Sequence, residues 1–127
     1  MDKGSFLKEV EHRLGTPFPS LAENCTRAVF KVLHQRIEPG QAEHVETHLP
    51  PDLKADWRRG YTGFTRMDKH EFLEAVKNEA CFRNTDEAFL ATRAVFGALK
   101  AALPEKDVED TGDELPEDLR EIWTEAA

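Results

Sequence analysis

Apolar side chains recur every three or four residues along most of this 127-residue chain. That spacing puts them on one face of an α-helix, because an α-helix turns once every 3.6 residues. It occurs near the start of the chain and again past its middle, at Phe6, Leu7, Val10 and Leu14 and at Phe72, Leu73, Val76 and Ala80. No segment alternates between apolar and polar residues as a half-buried strand does. The pattern predicts an all-α protein.

Capping residues indicate where the first helix of each half begins and ends. Asp2 and Asp68 stand at the N-cap positions, since their carboxylates can accept hydrogen bonds from the free backbone N–H groups of the first turn. Asp68-x-x-Glu71 has the form of a capping box. The glycine and prolines of residues 15–19 predict the end of the first helix.

Three more helices are predicted in each half. Ser20-x-x-Glu23 is a second capping box and opens a long helix. Its counterpart, residues 86–102, is apolar on nearly every side, which is typical of a buried helix. A third helix follows Pro39 and Pro104, because proline is suited to a first helical turn. A Leu-Pro-x-Asp-Leu element then opens a short fourth helix that ends at a tryptophan.

The two halves resemble each other in sequence. The five residues TRAVF occur at 26–30 and again at 92–96, and a shift of 66 residues aligns 1–61 with 67–127. Nineteen of the 61 aligned pairs are identical without a gap. The chain is therefore predicted to be a tandem duplication of a four-helix repeat, with a linker turn at 62–66 and about eight helices in all. We expect one compact helical domain, or a repeat pair completed by a second chain.

Charge is distributed unevenly. The formal net charge is −8, and residues 104–127 alone carry ten acids against two bases, whereas the rest of the chain is neutral. Nucleic-acid binding requires a basic surface, so the charge argues against it. An acidic C-terminal surface is either a solvated face or a binding surface for a basic partner protein.

The chain offers no membrane-associated or secretory feature. No run of 18 apolar residues is present, and the first residues are charged and amphipathic rather than apolar. Its two cysteines, Cys25 and Cys81, form neither a disulfide framework nor a CxxC pair. We expect a cytoplasmic protein whose two thiols are small buried apolar groups.

Arginines interrupt the apolar long helices at equivalent positions. Arg27 is expected to pair with Asp52, and Arg93 with Asp118, with each aliphatic stem packed along the helix. The alternative is that these arginines bind an anion.

Each half also ends in a tryptophan. Trp57 and Trp123 are expected to close the core of their own repeats, because a large aromatic side chain buries much apolar area. The alternative for Trp123 is an exposed anchor for a partner, together with Glu114, Glu117 and Glu121.

Two histidines supply a candidate metal site. His44 and His48 lie four residues apart on the third helix, and their equivalents in the second half are Asp110 and Glu114. If a pseudo-twofold axis brought the two third helices together, the four side chains could bind a divalent metal. The alternative is that these are ordinary surface residues and that the protein has no cofactor.

The whole chain resembles the bacterial family catalogued as domain of unknown function 2267. The residues that carry the resemblance are Thr26-Arg27-Ala28-Val29, Val32-Leu33, Glu38-Pro39-Gly40-Gln41-Ala42, Leu49-Pro50-x-x-Leu53, Trp57 and Asp68-x-x-Glu71-Phe72-Leu73. The resemblance implies a small duplicated helical domain and brings no established activity.

These observations favour a non-enzymatic function, because no catalytic motif is present. The primary hypothesis is a protein-interaction module that uses its acidic C-terminal surface or the groove between the repeats. The alternative is a protein that binds a metal or small ligand between the repeats. A homodimer is consistent with either.

Overall fold

A computed structural model describes residues 1–126 of the chain. Within them the polypeptide forms eight helices and no β-strand, which confirms the all-α prediction. The helices are α1 (Lys3–Leu14), α2 (Pro19–Arg36), α3 (Pro39–Thr47), α4 (Pro51–Arg58), α5 (Lys69–Ala80), α6 (Thr85–Ala102), α7 (Glu105–Asp113) and α8 (Glu117–Glu125). Each of the last four begins 66 residues after one of the first four. None is both long and apolar enough to cross a membrane.

The first helix of each half is capped as the sequence predicts. The Asp2 carboxylate accepts a 2.8 Å hydrogen bond from Ser5 N, and that of Asp68 accepts one of the same length from Glu71 N. The Glu71 carboxylate accepts in return from Asp68 N, which completes the capping box. These bonds satisfy backbone donors that have no partner within the helix.

The predicted starts of the two long helices are wrong, by two residues for α2 and by one for α6. Helix α2 begins at Pro19, whose ring presets the helical φ and which has no N–H to satisfy, so Ser20 is not its cap. Helix α6 begins at Thr85, and the side chain of Asn84 accepts a 3.0 Å bond from Glu87 N.

The two halves interlock around one core. Helix α1 packs on α2 of its own half and on α6 of the other, and α5 packs in the same way on α6 and α2. Helices α2 and α6 also contact each other. Buried apolar residues from both halves therefore form a single cluster, so the chain completes its own core.

Each tryptophan ends an aromatic row inside its own half. Phe6, Phe30 and Trp57 follow one another with ring centroids 5.5 and 5.4 Å apart. Phe72, Phe96 and Trp123 repeat the row at 5.8 and 5.1 Å. Trp57 is fully buried and Trp123 is 3% exposed, which agrees with the core-closing role and leaves Trp123 unavailable as an exposed anchor.

The two cysteines differ in environment. Cys25 is buried as expected, whereas Cys81 is exposed, so the prediction for Cys81 is wrong. Cys81 follows α5 in the left-handed conformation, with a φ of 60°, and its equivalent after α1 is Gly15, with a φ of 72°. A residue with a Cβ is strained in the left-handed conformation, which glycine adopts freely. Cys81 therefore carries backbone strain that Gly15 does not.

We expect Cys81→Gly to raise the free energy of unfolding by about 1 kcal/mol, because it removes the left-handed strain. Urea unfolding would measure the change. The matched control is Gly15→Ala, whose new Cβ would meet no atom within 4 Å and which should therefore lose stability through backbone strain alone. An unchanged Cys81→Gly midpoint would show that the turn is unstrained.

Candidate functional site

A surface groove lies between the N-terminal halves of α2 and α6, and the end of α1 forms one wall. We call it the apolar groove. It has a volume of about 220 Å³ and is lined by Arg13, Leu14, Thr16, Leu21, Cys25, Phe82, Glu87, Leu90, Ala91 and Arg93. It is shared between the halves, because each of them supplies part of the lining.

The groove carries an unusual concentration of exposed apolar side chains. Within residues 1–126 the exposed large apolar residues are Met1, Phe18, Leu21 and Leu90. Leu21 is 37% and Leu90 50% exposed, and both line the groove. Phe18 is the N-cap of α2, one turn before Leu21. Leu21 and Leu90 therefore form the exposed apolar part of this groove.

A second concavity adjoins the first and shares two arginines with it. We call it the polar groove. It has a volume of about 480 Å³ and is lined by Glu9, His12, Arg13, Arg93, Ala94 and Glu125. The two grooves together form a surface that is apolar on one side of the arginines and charged on the other.

The two shared arginines differ in their partners. Arg13 Nε lies 2.8 Å from Glu9 Oε1, so its charge is neutralised locally. Arg93 is exposed, and no carboxylate oxygen in residues 1–126 lies within 4 Å of its guanidinium nitrogens. Its guanidinium carbon lies 5.5 Å from the centre of the Phe89 ring, a cation–π contact. Arg93 therefore presents an uncompensated cation at the junction of the grooves.

The predicted pairs of these helix arginines are wrong. Asp118 accepts a 3.1 Å bond from Lys69 N at the start of α5, and Asp52 accepts from Lys3 N at the start of α1. Both carboxylates thus stabilise helix N-termini, where the helix dipole favours negative charge. Arg27 instead lies 3.1 Å from Asp56, one turn further along α4 than Asp52.

The predicted metal ligands do not assemble. Helices α3 and α7 meet, as the metal-site hypothesis requires, but His48 Nε2 lies 3.1 Å from Asp107 Oδ2, one turn before Asp110. Glu114 does not face the histidines as a ligand. Its Oε1 accepts a 2.6 Å hydrogen bond from Glu38 N instead. His44 is exposed. Within residues 1–126 no three His, Cys, Asp or Glu side chains are placed to hold a metal ion.

Of the four residues predicted to form a partner-binding face, only two are exposed. Glu117 and Glu121 are exposed on α8, one turn apart. Glu114 is half-buried and bonded to α3, and Trp123 is buried, so neither contributes to an exposed binding face.

A buried histidine packs against the aromatic side chains at the end of the first half. The His34 ring stacks between Trp57 and Tyr61, with centroid distances of 4.8 and 4.0 Å, and its Nδ1 lies 2.8 Å from the carbonyl oxygen of Trp57. Burial lowers the pKa of His34, although the carbonyl and Glu46 oppose that shift. The neutral ring is the form that this packing favours.

We expect His34 to make stability pH-dependent. Because its folded-state pKa is below the ordinary value of 6.5, the unfolded chain binds the proton first as the pH falls. The free energy of unfolding should therefore decline as the pH drops through that value. Urea unfolding of wild type and His34→Phe at several pH values would measure it. A variant with the same pH dependence as wild type would contradict the assignment.

Sequence reasoning proposed a groove between the repeats but did not identify the residues that line it, for an identifiable reason. Leu21 fits the apolar face of α2, and Leu90 lies in a helix that is apolar on nearly every side, so both read as core residues. A comparison of the halves contains the missing signal, because Leu90 replaces Asn24 and Glu87 replaces Leu21 at equivalent positions. Such exchanges do not occur among the buried phenylalanines and tryptophans.

The fold and the groove define an all-helical protein with one interlocked core and an open surface between its halves. The chain belongs to the family described as uncharacterized conserved protein (DUF2267), whose model matches residues 4–122. The match thus covers all of the helices except the first residue of α1 and the end of α8. No curated protein matches the sequence.

Proposed function

We propose that this protein is a non-enzymatic interaction module that binds a segment of another protein in the apolar groove. The observation that carries the proposal is the exposure of Leu21 and Leu90 in one concave surface. A partner that covered both side chains would remove apolar area from water, which favours the complex.

The dimensions of the groove favour a protein segment over a small molecule. Sites for small molecules usually enclose about 300–1,000 Å³ and bury most of the ligand. The apolar groove is smaller, at about 220 Å³, and its rim residue Leu90 is half exposed. A helix or an extended segment needs only such a shallow surface.

The chemistry of the groove favours binding over catalysis. Burial raises the pKa of the Cys25 thiol to about 11, so this side chain is protonated at neutral pH and is a poor nucleophile. The other lining residues supply apolar contact and charge.

The acidic surface is the second candidate contact. Glu117 and Glu121 are exposed on a stretch that carries ten acids against two bases. The negative potential of these carboxylates would attract a basic partner, most strongly at low salt.

A crossed pair of variants separates the two surfaces. Leu21→Asp with Leu90→Asp places charge in the groove, whereas Glu117→Lys with Glu121→Lys reverses the acidic face of α8. Each variant is first shown to melt cooperatively, and each is then compared with wild type by quantitative capture from lysate of the source cells. We expect a partner that the groove variant loses and the α8 variant retains.

The opposite pattern would assign the interaction to the acidic surface. If neither variant lost a partner that wild type retains, the proposed function would be wrong. The molecular mass in solution, measured for wild type and the groove variant, shows in addition whether the groove is covered by a second copy of the chain.

A further inference from the structure

The charge beside the groove indicates what kind of segment it binds. We infer that the partner presents an amphipathic helix with a carboxylate side chain next to its apolar face, and that this carboxylate binds Arg93. The inference rests on the proposed function, because it specifies the occupant of the same groove.

Among residues 1–126, the local ion pairs leave one cation, Arg93, without a carboxylate partner at the junction of the two grooves. Glu9 neutralises Arg13 at 2.8 Å, and Glu87, which also lines the apolar groove, lies 3.4 Å from Arg83. Glu125 lines the polar groove but is not within 4 Å of Arg93. The guanidinium of Arg93 is therefore complemented by an acidic side chain on the partner.

Arg93 is also held in place for such a contact. Its guanidinium carbon lies 5.5 Å from the Phe89 ring centre, four residues earlier on the same helix. Stacking on an aromatic face leaves the N–H groups at the edge of the guanidinium plane free to donate to a carboxylate. A side chain that is already oriented loses less conformational entropy on binding.

The apolar groove, Arg93 and the polar groove follow one another along the surface, and this arrangement favours a helical partner. Leu21 and Leu90 lie on the apolar side of the arginines, and Arg93 also lines the polar groove on the other side. A helix presents neighbouring side chains three and four residues apart on one face. A segment with apolar residues at that spacing and an Asp or Glu one turn further would contact both surfaces at once.

A displayed library of helical 16-residue peptides tests the inference without a known partner. The library keeps Leu, Phe or Met at three positions spaced three or four residues apart and randomises the others. Selection on wild type is followed by counter-selection on Leu90→Asn, which removes peptides that bind elsewhere without adding a charge next to Arg93. We expect the remaining peptides to be enriched in Asp or Glu at one position next to the apolar face.

Arg93→Gln is the decisive variant. The selected peptides should bind it about ten-fold more weakly, the change that a charged hydrogen bond of roughly 1.4 kcal/mol corresponds to. Their affinity for it should also depend less on salt, which a purely structural role of Arg93 would not produce. Arg59→Gln, an exposed arginine outside both grooves, is the matched control and should leave binding unchanged.

The outcomes distinguish the inference from the function on which it rests. Peptides that require Leu90 but show no acidic preference and bind Arg93→Gln as tightly as wild type would overturn the inference and leave the interaction module intact. If the library yields no peptide that depends on Leu90, the helical occupant is overturned, and the crossed groove and α8 variants decide separately whether the proposed function holds.

Discussion

Gly112→Ala will lower the free energy of unfolding by about 2–3 kcal/mol, because the new methyl group overpacks the core. A Cβ at this position would lie 2.8 Å from Trp123 Cδ1 and 3.0 Å from its Nε1. The indole cannot easily move aside, since its Nε1 donates a 3.0 Å hydrogen bond to the carbonyl of Val108 and its ring packs edge-on against Phe96. Urea unfolding followed by tryptophan fluorescence would measure the loss.

Gly40→Ala is the matched control for that experiment. Gly40 lies in the first turn of α3, and a Cβ there would meet no atom within 4 Å. Alanine is the better helix former, so this variant should be as stable as wild type or more stable by up to about 1 kcal/mol. A Gly112→Ala protein that behaved like the control would show that α7 and α8 are not packed as closely as described.

Asp56→Ala is expected to lower the free energy of unfolding by about 2–3 kcal/mol, because it removes the shared partner of two cations. Asp56 is 6% exposed, and its two oxygens lie 2.9 Å from Lys3 Nζ and 3.1 Å from Arg27 Nε. It therefore ties α1 and α2 to α4. The equivalent position in the second half is Ile122, which is also buried and makes an apolar contact instead.

The same carboxylate should make stability fall in acid. Burial alone would raise the pKa of Asp56, but the hydrogen bonds from Lys3 and Arg27 outweigh it and hold the pKa below the ordinary value of 3.8. Its stabilising contribution is thus complete above that value and is lost as the pH falls through the lower folded-state pKa. Asp56→Asn, which keeps the shape and removes the charge, should lose less stability on acidification. Equal acid sensitivity in both proteins would contradict the assignment.

Much of the fold could be predicted from the chain because local physics determines it. The N-caps Asp2 and Asp68 satisfy backbone donors next to them in sequence, and the apolar spacing of each helix depends on residues a few positions apart. The 66-residue shift then related one half to the other. The core roles of Trp57 and Trp123 followed from that relation.

The predictions that were wrong depend on contacts between helices. Asp52 and Asp56 lie one turn apart on α4, and the rotation of that helix decides which of them meets Arg27. The same limit applies to His48, which meets Asp107 rather than Asp110 because of how α3 is offset against α7. A sequence pattern predicts which face of a helix is buried. It does not predict how far that helix is rotated or shifted along its neighbour.

The candidate site was hidden for a related reason. Burial of a leucine depends on whether another element covers it, and the exposure of Leu90 follows from the space left between α1, α2 and α6. Nothing in the periodicity of α6 distinguishes Leu90 from its buried neighbours Ala91 and Ala94.

The packing of each first helix against the long helices of both halves has a consequence for how the chain can be divided. Because α1 packs on α6 and α5 packs on α2, a cut in the segment 62–66 would leave each piece with an apolar surface shaped for the other. The two pieces would then act as a complementation pair, with neither ordered alone and both restored on mixing. Fused to two interacting proteins, they would report the encounter of those proteins by the recovery of one helical core.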